Sequence, residues 1–405
     1  MAEREFEVVV WGASGFTGRL VVEYLLQKYG IDGKVRWAAA GRDIEKINRT
    51  LEEVGAAGAP TIQADANDAA SLAALASRTK VILTTVGPYQ KYGTDLVAAC
   101  VAAGTDYVDL CGEPPWMRRM IDAYHTGANE TGARIVHSCG FDSIPFDLGV
   151  HFAQNLFKEA YGRPAKEVKG RVLAAKGGAS GGTIASFLAT VEAAAKDAFV
   201  RKVMRDPYSL APDSSAKRPR QPDGRTPRYD RDAGKWMAPF VMADINTRNV
   251  HRTNMLSGYA YGQDFKYSEM MAAPNAAAAY AIAAGTGGFA GLIAFPPTRA
   301  ILSRTALPKP GEGPSKHARE TGFYKVLFIA KGARRGEMVK ALVTGDRDPG
   351  YGSTSKLIAE SAICLAKDVD HVATPGGVWT PAAAMGDELI VRLMGHAGLD
   401  FNQSN

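Results

Sequence analysis

The chain has 405 residues, a formal net charge of +6 at pH 7 and an apolar share of 46%. This length exceeds one typical domain, so we expect two domains that share a cleft. The four cysteines have neither CxxC pairing nor metal-ligand spacing, and the seven histidines form no spaced pair. These counts argue against a disulfide-rich secreted protein and against a catalytic metal. The charged N-terminus enters a strand at once, which argues against a signal peptide and favours a cytoplasmic protein.

The first 140 residues alternate short strands with helices. The predicted strands are Val8–Trp11, Arg36–Ala40, Pro60–Ala64, Val81–Val86, Tyr107–Leu110 and Arg134–Ser138. The predicted helices between them are Thr17–Tyr29, Ile44–Val54, Ala69–Ser77, Thr94–Ala103 and Trp116–Thr131. This alternation predicts an α/β fold whose N-terminal part, residues 1–146, is a Rossmann-type doubly wound parallel sheet.

The alternation stops after Phe146. The predicted strands are now Glu167–Ala175, Phe265–Met271, Gly322–Ala330 and Met338–Thr344, and the predicted helices are Gly182–Met204, Ser353–Lys367 and Ala382–Leu393. This pattern predicts a second, α+β domain with a mainly antiparallel sheet over residues 147–350. Residues 351–405 then form C-terminal helices.

A glycine-rich turn follows the first strand. The spacing is G-x-x-G-x-x-G, and an apolar-periodic helix begins directly after it. Glycines let the backbone approach a pyrophosphate, and the free N–H groups of a helix N-terminus receive its charge. The turn therefore predicts a dinucleotide site at Gly12, Ser14, Gly15, Phe16, Thr17 and Gly18.

The ends of the next strands distinguish the cofactors. Arg42 follows the second strand and is suited to a 2′-phosphate, which favours NADPH over NADH, although Asp43 comes directly after it. Asp65 is placed either to accept from the adenine amino group or to cap the following helix. Gly87 and Pro88 let the backbone lie along the nicotinamide ribose.

Three side chains at strand ends are candidates for catalysis. Tyr89 is expected to enter the cleft as a general acid or as a wall, and Glu113 and Asp142 are the acidic groups expected to face a substrate. Helix capping is the alternative role for Glu113 and Asp142. Tyr24 and Lys28 have the spacing of a short-chain dehydrogenase pair, but their place on the helix after the phosphate loop indicates a structural role.

Residues 201–235 carry ten Lys or Arg against five Asp, together with five prolines. We expect a long irregular loop over 205–235, either a solvated surface or a docking surface for an acidic partner or an anionic lipid. Nucleic acid is not expected, because no nucleic-acid-binding motif accompanies the charge.

The segment Ala276–Phe295 has no charged residue and would just span a bilayer. It is mostly alanine and glycine, which favours a buried helix pair or one packed against a partner chain, so a homo-oligomer is left open. The alternative is an element at or in a membrane surface.

Several motifs together resemble the saccharopine dehydrogenase-like oxidoreductases, and within them the trans-acting enoyl reductases. They are Gly12–Gly18, Ala40–Arg42, Thr85–Tyr89, Ala103–Tyr107, Cys139–Pro145 and Thr380–Gly386. The resemblance covers nearly the whole chain. It implies reduction of a carbon–carbon double bond in a polyketide-type intermediate, in trans with a synthase, and a C-terminal segment that packs back on the dinucleotide domain.

The resemblance leads to the hypothesis of an NADPH-dependent reductase for an enoyl-thioester or lipid-like substrate, with the basic loop docking an acidic carrier protein. An oxidoreductase for an amino-acid-derived imine is one alternative, although no basic pocket for a dicarboxylate is evident. A non-catalytic lipid-surface protein with a vestigial dinucleotide site is the other.

Overall fold

A computed structural model describes residues 4–177, 181–295, 297–299 and 313–404. Within them, one sheet contains seven parallel strands in the order β13-β6-β5-β4-β1-β2-β3. These strands are β1 (Phe6–Trp11), β2 (Trp37–Gly41), β3 (Thr61–Gln63), β4 (Thr79–Thr84), β5 (Asp106–Val108), β6 (Arg134–Val136) and β13 (Gly377–Trp379). Every residue of β1 and β2 is buried, as continuous apolar runs in a parallel sheet covered on both faces require. The predicted Rossmann-type sheet is confirmed.

The second sheet of the described chain also has seven strands, in the order β14-β12-β11-β7-β10-β9-β8. They are β7 (Glu167–Lys176), β8 (Arg228–Asp230), β9 (Lys235–Ala238), β10 (Lys266–Ala273), β11 (Phe323–Lys331), β12 (Met338–Gly345) and β14 (Leu399–Ser404). All neighbours are antiparallel except the parallel pair β7 and β10. Burial alternates along β12, which is typical of a sheet with one covered face. The predicted mainly antiparallel sheet is confirmed.

The helices of the N-terminal part are α1 (Phe16–Tyr29), α2 (Ile44–Glu53), α3 (Ala69–Ser77), α4 (Tyr89–Tyr92), α5 (Thr94–Ala103), α6 (Pro114–Thr131) and α7 (Ile144–Tyr161). Helices α1 to α6 connect the parallel strands, and α7 leads from β6 to β7 of the second sheet. The remaining described helices are α8 (Gly181–Lys196), α9 (Ala198–Arg205), α10 (Ala243–Leu256), α11 (Ala276–Ala294), α12 (Lys316–Glu320), α13 (Thr354–Lys367) and α14 (Pro381–Arg392), with π-helical turns at Pro349–Ser353 and Leu393–Ala397.

The C-terminal segment joins the two sheets. Its strand β13 extends the parallel sheet beside β6, and β14 pairs with β12 of the second sheet. Helix α13 packs against α1, where the hydroxyl of Tyr24 donates to Glu360 over 2.5 Å. Tyr24 therefore has the structural role that the sequence indicated, joining α1 to the C-terminal segment.

Three predicted elements differ from the structure. The helix expected over 182–204 is two helices, because Asp197 interrupts α8 and caps α9 by accepting from the Phe199 amide. The basic segment 201–235 is irregular between α9 and β8, as expected. It begins within helix α9, however, and ends in the strands β8 and β9. The apolar segment is one continuous helix, α11, and it is mostly exposed, so the expectation of a buried helix pair was wrong.

Candidate functional site

The glycine turn joins β1 to α1 at the carboxyl edge of the parallel sheet. Gly12 has a φ of +86°, which side chains rarely adopt, and its amide donates to the Ala40 carbonyl of β2 over 2.9 Å. Gly15 is the N-cap of α1, with no side-chain cap, and the first turn has no acidic residue. The N–H groups at this helix end are therefore free to receive an anion.

The third glycine of the turn is required by packing. A Cβ at Gly18 would lie 2.8 Å from the carbonyl carbon of Gly12 and 2.9 Å from the Cα of Ala13, and closer still to the Gly12 carbonyl oxygen. Only glycine lets α1 approach the end of β1 this closely, which is the role of the last glycine in dinucleotide turns.

The strand end after β2 is also arranged as the sequence predicted. Arg42 is exposed there, and its carbonyl accepts from the Gln63 side chain over 3.1 Å, whereas no hydrogen bond of its guanidinium is found among the described residues. The neighbouring Asp43 is the N-cap of α2, and its Oδ1 accepts from the Lys46 amide over 3.0 Å. Because capping occupies this acidic side chain, the guanidinium of Arg42 is the group available to a 2′-phosphate.

Asp65 does not cap the next helix. Helix α3 has Asp68 as its N-cap, and the Oδ1 of Asp65 accepts instead from the backbone and side chain of Asn67. The capping alternative for Asp65 was therefore wrong, and its contact with adenine remains a prediction.

The segment after β4 lies beside the glycine turn. Gly87 is exposed and Pro88 is half-buried, and the Thr85 amide donates to the Trp11 carbonyl at the end of β1. The buried carboxylate of Glu113 accepts from the amides of Tyr89 and Gln90 over 2.9 and 3.0 Å. Glu113 therefore caps the short helix α4 from outside and holds the Gly87-Pro88 turn in place.

Glu113 is also bonded to α8, since the Ser186 hydroxyl donates to its Oε1 over 2.8 Å. Burial raises its pKa, whereas these hydrogen bonds oppose the rise. Glu113 is N-cap of its own helix, α6, without any side-chain cap bond, so the capping expected of it serves a neighbouring helix instead.

The Tyr89 side chain is buried rather than placed in the cleft. Its hydroxyl donates to the Thr84 carbonyl over 3.3 Å and accepts from the Leu110 amide over 3.0 Å. Burial raises its pKa well above that of an ordinary tyrosine, so it is a poor acid at neutral pH. This corrects the expectation that Tyr89 enters the cleft, and we do not assign it proton transfer.

Asp142 lies between β6 and α7, at the same edge of the sheet as the glycine turn. Its Oδ1 is shielded from solvent and has no hydrogen-bond partner among the described residues. Ser143 is the N-cap of α7, but its side chain makes no cap bond and its hydroxyl accepts from Asn249 over 2.7 Å. Neither residue caps the helix, so the capping alternative for Asp142 was wrong.

Two elements of the second sheet's domain complete a buried polar chamber around Asp142. We define the polar chamber as Asp142, Ser143, Asn246, Asn249 and Glu269. The amide of Asn246 donates to Glu269 over 2.9 Å, and the side-chain oxygens of Asn246 and Asn249 have no partner within the described chain. Unpaired buried polar atoms on three side chains indicate a site for a polar ligand or ordered water.

Burial controls the protonation of this chamber. It raises the pKa of Asp142 to about 7 and that of Glu269 to about 8, and the charge of Asp142 adds to the rise at Glu269. Hydrogen bonds from Asn246 and Tyr267 partly oppose the rise at Glu269. Near neutral pH, the chamber therefore holds carboxyl groups that are partly protonated and can give up or take up a proton.

Three chamber residues, Asn246, Asn249 and Glu269, were not predicted from the sequence. Helix α10 was not predicted, because its polar composition resembles that of a surface segment. A signal was nevertheless present: Asn246, Asn249 and Thr253 recur at helical spacing on one face, and all three are buried. Glu269 lies within a predicted strand, where a lone buried acid is unusual.

One turn of the C-terminal segment touches both parts of the site. The rings of Tyr351 and Phe16 meet edge to face at 5.1 Å beside the glycine turn. Three residues later, Thr354 accepts through its hydroxyl from the Phe141 amide over 3.0 Å, next to Asp142. The π-helical turn Pro349–Ser353 and the start of α13 therefore hold the dinucleotide turn and the polar chamber in one frame.

Comparison with known proteins agrees with this geometry. Residues 8–136 match the saccharopine dehydrogenase NADP-binding domain. A Mycobacterium tuberculosis protein named as a trans-acting enoyl reductase is 43% identical over 404 residues, which cover 96% of each chain. The trans-acting enoyl reductase of Mycobacterium ulcerans is 42% identical over 416 residues, which cover 97% of this chain and 96% of that one. The chain belongs to the trans-acting enoyl reductase family.

The fold has a counterpart among solved structures. Saccharopine dehydrogenase (L-Glu forming) from Saccharomyces cerevisiae superposes with a TM-score of 0.55 at 13% identity, covering 99% of this chain and 100% of that one. The resemblance to saccharopine dehydrogenase-like proteins is confirmed, and at this identity the likeness concerns the fold.

The residues present fit NADP. Because residues 8–136 match the NADP-binding domain of saccharopine dehydrogenase, this part of the chain is an NADP-binding domain. The positive φ of Gly12, the uncapped N-terminus of α1 and the exposed Arg42 supply the turn, the anion site and the cation that this cofactor requires. Among the described residues, no cluster of three metal-ligating side chains is found.

We expect Arg42→Ala to weaken NADPH binding about tenfold or more, because a charge-assisted hydrogen bond to the 2′-phosphate contributes ~1.5 kcal/mol or more. NADH has no such phosphate, so its affinity should change little. Titrations followed by nicotinamide fluorescence measure both. Arg49→Ala removes the same charge at an exposed position on α2 and is the matched control. Equal weakening of NADPH and NADH would contradict the role of Arg42.

Proposed function

We propose that this protein is an NADPH-dependent reductase of enoyl thioesters that acts in trans on intermediates held by a carrier protein. The observation that carries the proposal is the polar chamber at the same edge of the sheet as the dinucleotide turn, where the Oδ1 of Asp142 is buried without a hydrogen-bond partner among the described residues and the pKa of Asp142 is raised to about 7. Membership of the trans-acting enoyl reductase family supports the same reaction.

Binding of the cofactor is assigned to the N-terminal part. The N-terminus of α1 would hold the pyrophosphate, Arg42 the 2′-phosphate, and the Gly87-Pro88 turn the nicotinamide side. When bound, NADPH supplies a hydride, and the protein supplies orientation and the proton.

Proton supply is assigned to the polar chamber. Reduction of an enoyl thioester needs a proton at the α-carbon as well as a hydride at the β-carbon. The pKa of Asp142 is raised to about 7, so part of it keeps its proton near neutral pH, and its Oδ1 has no partner among the described residues to compete for that proton. The Asn249 amide uses one end on Ser143 and leaves the other unpaired, which suits it to orient the polar end of the substrate.

The test is a turnover assay with deuterium labels. NADPH labelled at the nicotinamide C4 should place deuterium on the β-carbon of a short enoyl thioester, and deuterated water should place it on the α-carbon. Turnover of an oxo acid with an amine, and none of the thioester, would support the imine oxidoreductase instead. Tight NADPH binding with no turnover of either would support the non-catalytic alternative.

The carrier is proposed to dock on α9. Of the basic loop residues, Arg218 lies 3.4 Å from Asp206 and Arg225 lies 3.6 Å from Asp244, so part of that charge is paired internally. On α9, the exposed side chains Arg201, Lys202 and Arg205 line a surface depression with one acidic residue, Asp206. The Arg201 guanidinium also donates to the Ala194 carbonyl over 2.9 Å, so the depression carries a net positive charge that backbone contacts hold in place. Such a cationic surface suits an acidic carrier and its phosphopantetheine phosphate.

We expect the double variant Arg201→Glu and Arg205→Glu to raise the KM for a carrier-bound enoyl substrate about tenfold or more, because two attractive charges become repulsive. The kcat with a free pantetheine thioester should stay unchanged. The double variant Arg334→Glu and Arg335→Glu makes the same charge change on the exposed β11–β12 turn and is the control. A similar KM in both variants would contradict docking on α9.

A further inference from the structure

The helix α11 exposes an apolar surface that the proposed reaction does not use. It has no charged residue over 19 positions, and its length and composition suit a membrane. Only 11% of Ala276–Ile293 is buried. Among its larger side chains, Tyr280 is 56%, Phe289 42% and Leu292 47% exposed, and Phe295 at its C-cap is 59% exposed. Apolar surfaces of this kind mark an interaction site.

The two halves of α11 differ in their surroundings. In the first half, Ala279 is buried and Ile282 packs beside it against Ala238 and Trp236 of β9. In the second half, residues 284–292 are exposed on every side of the helix. The only hydroxyl there, on Thr286, donates to the Ile282 carbonyl within the helix over 2.9 Å. Ile293, which follows them, is buried again, so the exposed stretch 284–292 lies between two contacts with the body and presents no polar face.

This absence of a polar face distinguishes between occupants. A protein partner or a second copy of the chain covers one side of a helix and leaves a polar side toward water. Fluid hydrocarbon surrounds a helix completely and favours apolar or small residues on all sides, as in residues 284–292. We infer that the second half of α11 inserts into the hydrocarbon of an anionic lipid layer. The nine exposed residues 284–292 span ~14 Å of helix, which is less than half of a bilayer core, so this stretch enters one leaflet.

The surface beside the first half of α11 fits the headgroup region. The strands β8 and β9 form a hairpin in which the rings of Tyr229 and Trp236 lie 6.0 Å apart, and Tyr229 is 51% exposed. The same hairpin exposes Arg231 and Lys235. Aromatic rings and cations at the base of an apolar helix are typical of a membrane interface, where the cations attract anionic lipids.

The test is flotation of the full-length protein with vesicles of phosphatidylcholine alone or mixed with phosphatidylglycerol. We expect binding to the anionic vesicles and at least tenfold weaker binding for the double variant Phe289→Asp and Leu292→Asp. The control is Val372→Asp with Val391→Asp, which introduces the same charges at apolar positions that are 93% and 69% exposed elsewhere. It should bind within twofold of the original protein. Reversing Arg231 and Lys235 to glutamate should abolish the preference for anionic vesicles.

Two results would overturn the inference. One is flotation that the α11 variant leaves unchanged, or no flotation with either vesicle. The other is a change of oligomeric state. If light scattering showed that the original protein is a dimer and the α11 variant a monomer, a second copy of the chain would be the occupant of α11. NADPH affinity should be equal in all these proteins, so the result is independent of whether the proposed reaction holds.

Discussion

Replacing Asp142 with asparagine is expected to lower turnover about 100-fold or more and to flatten the pH dependence of stability. The loss of turnover follows because an amide cannot give up a proton at neutral pH, and positioned acids contribute about this factor. In the original protein, kcat should fall as pH rises through about 7, where Asp142 loses its proton. Steady-state kinetics across about pH 5 to 9 measure both the loss of turnover in the variant and the fall of kcat with pH in the original protein.

The stability effect follows from the direction of the pKa change. The unfolded chain releases the Asp142 proton near its ordinary pKa of 3.8, whereas the folded protein keeps it until about 7. Between these values the folded state binds more protons, so the free energy of unfolding falls as pH rises, then levels off. Three pH units correspond to ~4 kcal/mol at most. Asp142→Asn removes this contribution, so its stability should decline less between about pH 4 and 7 in urea titrations.

Asp147 provides a matched comparison. Burial raises its pKa to about 6, but its oxygens accept from Thr253 and from the Ala382 amide, which are structural partners. Asp147→Asn should flatten the stability curve only up to about pH 6 and should leave the pH at which kcat falls unchanged. If Asp142→Asn kept both the original kcat and its fall near pH 7, the assignment of the proton to Asp142 would be wrong.

Replacing Gly18 with alanine is expected to destabilise the protein and to weaken NADPH binding more than tenfold. The new Cβ would overlap the backbone of Gly12 and Ala13, and backbone cannot rotate away as a side chain can. Overpacking of this kind costs ~1–3 kcal/mol or more, which exceeds the gain of about 1 kcal/mol that alanine has over glycine within a helix. The displaced turn would also lose its approach to the pyrophosphate.

Thermal unfolding and nicotinamide fluorescence test this together. Gly285→Ala is the control, because Gly285 also lies within a helix but its Cβ would meet no atom within 4 Å. The control should be as stable as the original protein or more stable by up to ~1 kcal/mol, with unchanged NADPH affinity. A Gly18→Ala protein that melted at or above the original temperature would show that α1 does not need this close approach.

The local sequence was sufficient to predict the strand, turn and helix that begin the NADP-binding domain. The strand, the glycine turn and α1 are consecutive, so their geometry follows from neighbouring residues and short-range sterics. Arg42 was found in the same way, because it immediately follows β2. The parallel sheet was predictable as well, since continuous apolar strands that alternate with helices have few other arrangements.

The tertiary structure alone decided the polar chamber. Asp142 precedes both Asn249 and Glu269 by more than 100 residues along the chain, and no local pattern sets their proximity. Their protonation also depends on burial, which the fold and not the sequence neighbours impose. The same reason explains why the position of Tyr89 was not predicted, since its hydroxyl bonds to the backbone of Thr84 and Leu110. It also explains α11, whose apolar composition predicted burial that the fold does not provide.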